Sequence, residues 1–147
     1  MVSPELLRRY PYFAGIGHET LKKLAMLAEE KVFAAGTTLF REWDRADWFY
    51  VILGGEVHVQ HRGPKGEAHT VDTLDDGDIL VWSALVEPHR TTGVGITARE
   101  TRVVALPATR LRELCQEDPR LGFNLMGEVV RLLATRLDST RAQIAAM

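Results

Sequence analysis

The spacing of apolar residues along the 147-residue chain changes near residue 30 and again near residue 107. Up to residue 28 the apolar positions follow a helical period. Ser3-Pro4-Glu5 has the composition of a helix start, with a capping serine, a proline and an acidic first turn. Residues 3–28 are therefore predicted to be helical.

Residues 30–106 instead contain short apolar runs separated by turns rich in glycine and aspartate. The run 48–53 is uninterrupted aromatic and aliphatic sequence, which is typical of a strand buried on both faces. The stretch 56–60 alternates, so Val57 and Val59 are expected to point into the core. Closely spaced short strands predict a mainly β fold, an antiparallel jelly-roll (double-stranded β-helix) or β-barrel, with flanking helices.

Residues 107–146 return to the helical period and are predicted to form two helices, the second starting at the Asp118 cap. One set of residues on this second helix is spaced alternately by four and three: Met126, Val130, Leu133, Leu137, Thr140 and Ile144. This is the a/d seam of a coiled coil, and we predict that it joins two copies of the chain in a homodimer. A second stripe is predicted to pack on the β domain: Leu125, Val129 and Leu132. The alternative is one broad stripe that packs entirely within the chain.

Residues 77–93, which lie between strand-rich segments, are the candidate binding loop. The loop opens with the turn signal Gly77-Asp78, continues through a short apolar run and ends in Pro-His-Arg-Thr-Thr-Gly. A single helical turn here could point its backbone N–H groups at an anion, with Arg90 closing over it. In the simpler alternatives, Arg90 pairs with Glu87 on the surface and Trp82 packs in the core.

Composition narrows the class of protein. Hydrophobic residues make up 46% and charged residues 26% of the chain, and the net charge of −2 gives no global attraction to nucleic acid or to an anionic membrane. The single cysteine, Cys115, cannot form an intrachain disulfide, and no apolar run is long enough to span a bilayer. We therefore expect one cytoplasmic domain with no membrane partner.

The sequence shows no constellation of catalytic residues. A jelly-roll is also the fold of metal-binding cupin enzymes, but His58 and His61 are three residues apart and would point to opposite faces of a strand. A Gly-x-Ser-x-Gly elbow, a P-loop and a cysteine–histidine constellation are also absent. We predict neither catalytic residues nor a metal site.

Four stretches of the strand-rich segment are distinctive: Phe33–Phe40, Phe49–Val57, Leu74–Asp78 and Thr101–Leu106. Together with the short N-terminal helices and the long C-terminal helix, they resemble the cyclic nucleotide-binding domain, most closely the sensor half of the Crp/Fnr regulator superfamily. The resemblance implies an eight-stranded roll with a phosphate-binding cassette, here residues 77–93, and a C-terminal dimerisation helix. It also implies cyclic AMP (cAMP) or cyclic GMP (cGMP) as the ligand.

In that family the cassette holds a Gly-Glu pair, whose glutamate takes the ribose 2′-hydroxyl, and an Arg followed by Ser or Thr for the cyclic phosphate. Arg90-Thr91 matches the second pair, whereas Val81-Trp82 stands where Gly-Glu is expected. An indole N–H only donates, so Trp82 cannot replace the glutamate as an acceptor, and it either fills the pocket or stacks on a different ligand. The resemblance places ligand contacts at seven positions: Trp82, Ser83, Ala84, Arg90, Thr91, Thr92 and, on the dimer helix, Thr140.

Two functions from different classes remain open. In the first, the chain is a regulatory sensor: a small anionic ligand binds the loop, and the dimer helix carries the signal. In the second, Trp82 plugs the pocket and the dimer is a ligand-free docking module for another protein. The resembled transcription regulators continue into a DNA-binding domain. These residues end at Met147, so we expect no direct DNA binding by this chain alone, whether it stands alone or is the sensor fragment of such a regulator.

Overall fold

A computed structural model of the chain describes residues 1–147. The helices are α1 (Pro4–Arg8), α2 (His18–Leu27), α3 (Ala108–Glu117) and α4 (Pro119–Ala145). The strands are β1 (Glu29–Phe33), β2 (Thr38–Phe40), β3 (Trp48–Gly54), β4 (Val57–Arg62), β5 (Ala68–Leu74), β6 (Ile79–Leu80), β7 (Val94–Thr97) and β8 (Thr101–Pro107). Short 3-10 helices lie at Pro11–Phe13 and Trp82–Ala84.

The strands form two antiparallel four-stranded sheets, in the orders β1-β8-β3-β6 and β2-β7-β4-β5. Strands β3 and β4 follow each other in sequence but belong to different sheets, so their apolar side chains face one core. Four consecutive residues of β3 are buried, and so are Val57 and Val59 of β4. The jelly-roll prediction and both burial predictions are confirmed.

Two strands lack a sequence signal. β1 reads Glu-Glu-Lys-Val-Phe, is largely exposed, and owes its conformation to pairing with β8 from Glu29↔Ala105 to Phe33↔Thr101. β6 has only two residues, which pair with β3 through Tyr50↔Leu80 and Val51↔Ile79. Two residues cannot show a period, so β6 is defined by its partner strand rather than by its own sequence.

The turn between β3 and β4 brings the chain close to the start of the 77–93 loop. Gly55 has φ +134°, and a Cβ on it would lie 2.6 Å from the Cα of the buried Thr101, so only glycine fits. The Gly55 N–H donates to the Asp76 carboxylate at 3.1 Å. Asp76, the last residue before the loop, is thereby held against the β3–β4 turn.

The long helix α4 begins at Asp118, whose carboxylate accepts a hydrogen bond from the Arg120 N–H at 3.1 Å. Its inner stripe of Leu121, Leu125 and Val129 is buried, and Leu132 is half-buried against the same core. The prediction that this stripe packs on the β domain is confirmed. No helix of the chain combines the length and the apolarity needed to cross a membrane.

Candidate functional site

The 77–93 loop and α4 share a cavity that lies between the roll and the C-terminal helix. Ten residues from the loop and the helix line it: Ile79, Leu80, Val81, Trp82, Ser83, Thr91, Thr92, Gly93, Leu132 and Arg136. Three apolar residues of the roll, Phe40, Val59 and Leu74, form the rest of the wall. The cavity volume is ≈ 20 Å³, and one water needs roughly 10–15 Å³. The chain's own side chains therefore nearly fill the space.

Gly77 and Asp78 form the turn that starts the loop. The turn is paired with β3, because the Gly77 N–H donates to the Ile52 carbonyl (2.8 Å) and the Ile52 N–H donates to the Asp78 carbonyl (2.9 Å). The Asp78 carboxylate accepts from the Asp75 N–H at 2.8 Å, and burial raises its pKa. The Tyr12 hydroxyl donates to the Gly77 carbonyl at 2.7 Å. This Gly-Asp pair is a structural turn, not a ligand contact.

Val81 adopts a backbone conformation that favours glycine. Its φ of 64° and ψ of 58° are left-handed, which costs a residue with a Cβ roughly 1–2 kcal/mol. The Val81 side chain is buried and forms part of the cavity wall. The loop thus keeps the backbone path expected of glycine while filling the adjacent space with a branched side chain.

The 3-10 helix that follows places its three residues differently. Trp82 is half-buried on the cavity wall, and Ser83 is buried there. The Ser83 carbonyl accepts a hydrogen bond from Nδ1 of His89 at 2.9 Å, which places a proton on that nitrogen. Ala84 lies behind the wall, and its carbonyl accepts from the Arg112 guanidinium of α3 at 2.7 Å. The structure brings Trp82 and Ser83 to the cavity but not the Ala84 side chain.

The second half of the loop is tied to the β2–β3 connection. The Thr91 N–H donates to the Asp44 carbonyl at 2.9 Å, and its hydroxyl accepts from the Asp44 N–H at 3.0 Å while donating to the Arg41 carbonyl. Arg90 does not line the cavity, and one of its N–H groups lies 3.5 Å from the Trp43 carbonyl. Thr91 and Thr92 line the cavity, whereas Arg90 lies beside it.

Arg136 is the charged residue of the cavity wall, and it comes from α4. Its guanidinium pairs with the Asp72 carboxylate of β5 at 2.7 Å, with only 17% and 22% of the two side chains exposed. The Arg136 Nε is buried without a hydrogen-bond partner. Arg136 was not among the predicted site residues, although it follows Leu132 by four positions and so continues the inner stripe of the helix.

Thr140, the predicted ligand contact on α4, lies one turn beyond Arg136. It is exposed, and its hydroxyl donates to the Arg136 carbonyl at 2.9 Å, within its own helix. The structure therefore does not bring Thr140 to the cavity wall. The residues of α4 that line the cavity are Leu132 and Arg136.

Four residues of the predicted seam are exposed on α4: Met126, Val130, Leu137 and Ile144. A fifth, Leu133, is half-buried and packs against the core. The exposure of the other four contradicts a single broad stripe that packs entirely within the chain. Dimerisation through this face remains a prediction.

The titratable residues do not gather into a metal site. The His58 ring lies 2.7 Å from the Glu56 carboxylate, and the His69 ring lies 3.2 Å from the Glu67 carboxylate. No group of three or more His, Cys, Asp or Glu side chains is arranged to hold a metal ion.

Comparison with known proteins identifies this architecture. The sequence signature of the cyclic nucleotide-binding domain matches residues 30–118, which is more than half of the chain. The chain belongs to the cyclic nucleotide-binding domain family. It is also 26% identical over 141 residues to the CRP-like cAMP-activated global transcriptional regulator of Mycobacterium tuberculosis, covering 96% of the chain and 61% of the regulator. The chain thus spans about three fifths of that relative's length.

Two solved structures share the fold over almost the full chain. A Geobacter metallireducens protein described as a cyclic nucleotide-binding protein is 34% identical, with a TM-score of 0.79, covering 93% of this chain and 99% of its own. The N-terminal domain of a transcriptional regulator from Streptomyces coelicolor is 27% identical, with a TM-score of 0.69, covering 92% and 94%.

The Arg136–Asp72 pair is expected to stabilise this cyclic nucleotide-binding domain against unfolding. Asp72→Asn removes the acid from a mostly buried pair, so we expect the free energy of unfolding to fall by about 1–3 kcal/mol. Urea unfolding measures the loss. Asp138→Asn is the matched control, because Asp138 is exposed on α4 and forms no ion pair. If both variants have the same free energy of unfolding as the natural chain, the Arg136–Asp72 pair does not stabilise the packing of α4.

Proposed function

We propose that this chain is a non-enzymatic regulatory domain. It binds a small anionic ligand, a cyclic nucleotide or a related molecule, at the 77–93 loop and signals through a homodimer formed by α4, in the cytoplasm. One observation carries the proposal: the cassette loop and the helix that bears the seam line the same cavity. A ligand that enters this cavity must touch both.

The size of the cavity explains how a signal would arise. At ≈ 20 Å³ the closed site cannot hold a nucleotide, so binding requires Leu132 and Arg136 to move with α4, or Trp82 to turn. A ligand shifts such an equilibrium only by its greater affinity for the open state. Since the outer face of α4 carries the seam, the same movement would change the geometry of the dimer.

Arg90 is the residue we assign to the anion. Its one long contact, at 3.5 Å to the Trp43 carbonyl, is weak by hydrogen-bond criteria, so turning the side chain toward a ligand costs little. Thr92 also lines the cavity, and its hydroxyl could donate to the same group, whereas the Thr91 hydroxyl already donates to the Arg41 carbonyl. Arg90-Thr91 is also the pair that matches the family's phosphate-binding residues.

A second candidate is a ligand-free dimeric interaction module. It is favoured by the nearly filled cavity, by Trp82 on its wall and by the Arg136–Asp72 pair across it. In either case the 26% identity over 141 residues to the CRP-like regulator supports a role in transcription regulation.

Titration calorimetry with cAMP and with cGMP tests the proposal. We expect measurable binding of at least one, and we expect Arg90→Gln to weaken it by about 10- to 100-fold, the value of a hydrogen bond to a charged group. Arg62→Gln is the control, because Arg62 lies on the distant β4–β5 hairpin.

The possible results separate the two candidates. Binding that depends on Arg90 and not on Arg62 supports the sensor. If the natural chain binds neither nucleotide, and its unfolding temperature is unchanged by either, the ligand-free module is the better description.

A further inference from the structure

Phe123 is a large exposed aromatic residue on α4. Its side chain is 77% exposed, although it lies beside the buried inner stripe. It precedes Met126 by three positions and Val130 by seven, so it extends the alternating spacing of the seam one step toward the start of the helix. The seam therefore begins with an exposed phenylalanine, which was not among the predicted seam residues.

A cavity opens next to this phenylalanine, between α3, α4 and the end of the 3-10 helix in the cassette. Its volume is ≈ 220 Å³, and its apolar walls are Leu85, Cys115, Leu125 and Met126, with Gly122 between them. A cavity of about 150 Å³ accommodates a benzene ring. Phe123 of the same chain does not line it.

Coiled-coil geometry relates the two features. In a parallel pair of helices, a side chain at one seam position inserts between four residues of the facing helix that surround the equivalent position. For position 123 these include positions 122 and 126, which form one wall of the cavity. We propose that in the homodimer Phe123 of each subunit inserts into this cavity of the other subunit. The proposal rests on the dimer of the proposed function.

The occupant is a second copy of this chain because the patch is self-complementary. The projecting side chain and the cavity lie at the same level of the same helix, so one two-fold axis fills both cavities at once. Phe123, Met126, Val130, Leu137 and Ile144 are all at least 40% exposed. A fully exposed apolar side chain offers roughly 60–120 Å², inferred from its burial energy, and these five are on average about three fifths exposed. They therefore supply about a third of the ~800 Å² per partner in a standard interface.

Insertion would connect each subunit to the other's cassette. Leu85 ends the 3-10 helix, since its N–H donates to the Trp82 carbonyl at 3.0 Å. Arg112, another wall residue, holds the Ala84 carbonyl at 2.7 Å. A phenyl ring against Leu85 and Arg112 therefore packs directly behind the residues that line the ligand cavity.

Crosslinking tests the insertion, because Cys115 is the single cysteine of the chain and lies in the cavity wall. Phe123→Cys is treated with a short bifunctional methanethiosulfonate and analysed by non-reducing electrophoresis. We expect a covalent dimer that disappears when Cys115→Ala is added. Met26→Cys is the control, because Met26 is 68% exposed on α2, away from the seam. Separately, Phe123→Ser is expected to weaken the dimer at least about tenfold, as loss of an interface anchor does.

Sedimentation of the natural chain distinguishes failure of the dimer from failure of the insertion. A monomer at all concentrations overturns both. If the natural chain is dimeric, a crosslink that survives Cys115→Ala shows position 123 facing its own copy and overturns the insertion alone. Absence of any covalent dimer from Phe123→Cys has the same meaning at a protein concentration where sedimentation shows this variant to be dimeric.

Discussion

Replacing Val81 with glycine and Trp82 with glutamate is expected to raise the affinity for cAMP and cGMP by about 10- to 100-fold. The resembled family reads the ribose hydroxyl with a glutamate, whereas the Trp82 indole has no acceptor to offer. A buried hydroxyl without its partner costs about 1–3 kcal/mol, and each 1.4 kcal/mol is a factor of ten in affinity. Glutamate restores the acceptor, and removal of the indole enlarges a cavity of only ≈ 20 Å³.

In this double variant, the Val81→Gly exchange relieves backbone strain at position 81. Val81 holds φ 64°, a left-handed conformation that glycine adopts without strain. The exchange also removes a buried branched side chain, which costs about 1.5–3 kcal/mol of apolar burial. We therefore expect little net change in stability from the glycine and a more open wall beside the ligand.

Titration calorimetry on four proteins separates the effect of the new hydrogen-bond acceptor from the effect of the added space. These are the natural chain, Val81→Gly, Val81→Gly with Trp82→Leu, and Val81→Gly with Trp82→Glu. Leucine opens space without supplying an acceptor, so only the glutamate variant should show the full gain. An equal gain in the leucine variant would mean that the indole blocks the site by bulk and that the ribose contact contributes nothing.

The β-roll is predictable from sequence because its central strands carry their signals locally. The uninterrupted run in β3 and the alternation in β4 each report which faces of the strand are buried. Strand β1 carries no such signal, because an exposed polar segment becomes a strand only by pairing with β8. The same holds for the two residues of β6, which are placed by β3.

The composition of the loop is predictable, but the direction of its side chains is not. Arg90 lies outside the cavity because Thr91 is held by Arg41 and Asp44, residues 47–50 positions earlier. Arg136 reaches the cavity wall because Asp72, 64 positions away, balances its charge. A charged residue at the end of an apolar stripe ordinarily marks the solvent boundary, so its inward position depends on a partner that no local pattern shows.

Glutamate at Val130 and Leu137 is expected to give the largest effect on assembly, a dimer weakened by more than about 1,000-fold. These two residues are seven apart, 63% and 49% exposed, and lie in the middle of the seam. In a two-fold pair both helices of the seam carry each substitution, so every substitution buries two like charges in the interface. An unpaired buried charge costs about 3–5 kcal/mol, and a single one of these already weakens association by about 100-fold or more.

Sedimentation velocity over a range of concentrations measures this loss, with Met26→Glu as a control for adding an exposed charge to an apolar surface position outside the seam. Circular dichroism should show both variants folded, because the stripe that anchors α4, Leu121, Leu125 and Val129, is untouched. If the seam variant remains dimeric, another surface forms the dimer. If it is a folded monomer that still binds a nucleotide, the loop recognises its ligand within one chain, and α4 serves to transmit binding rather than to permit it.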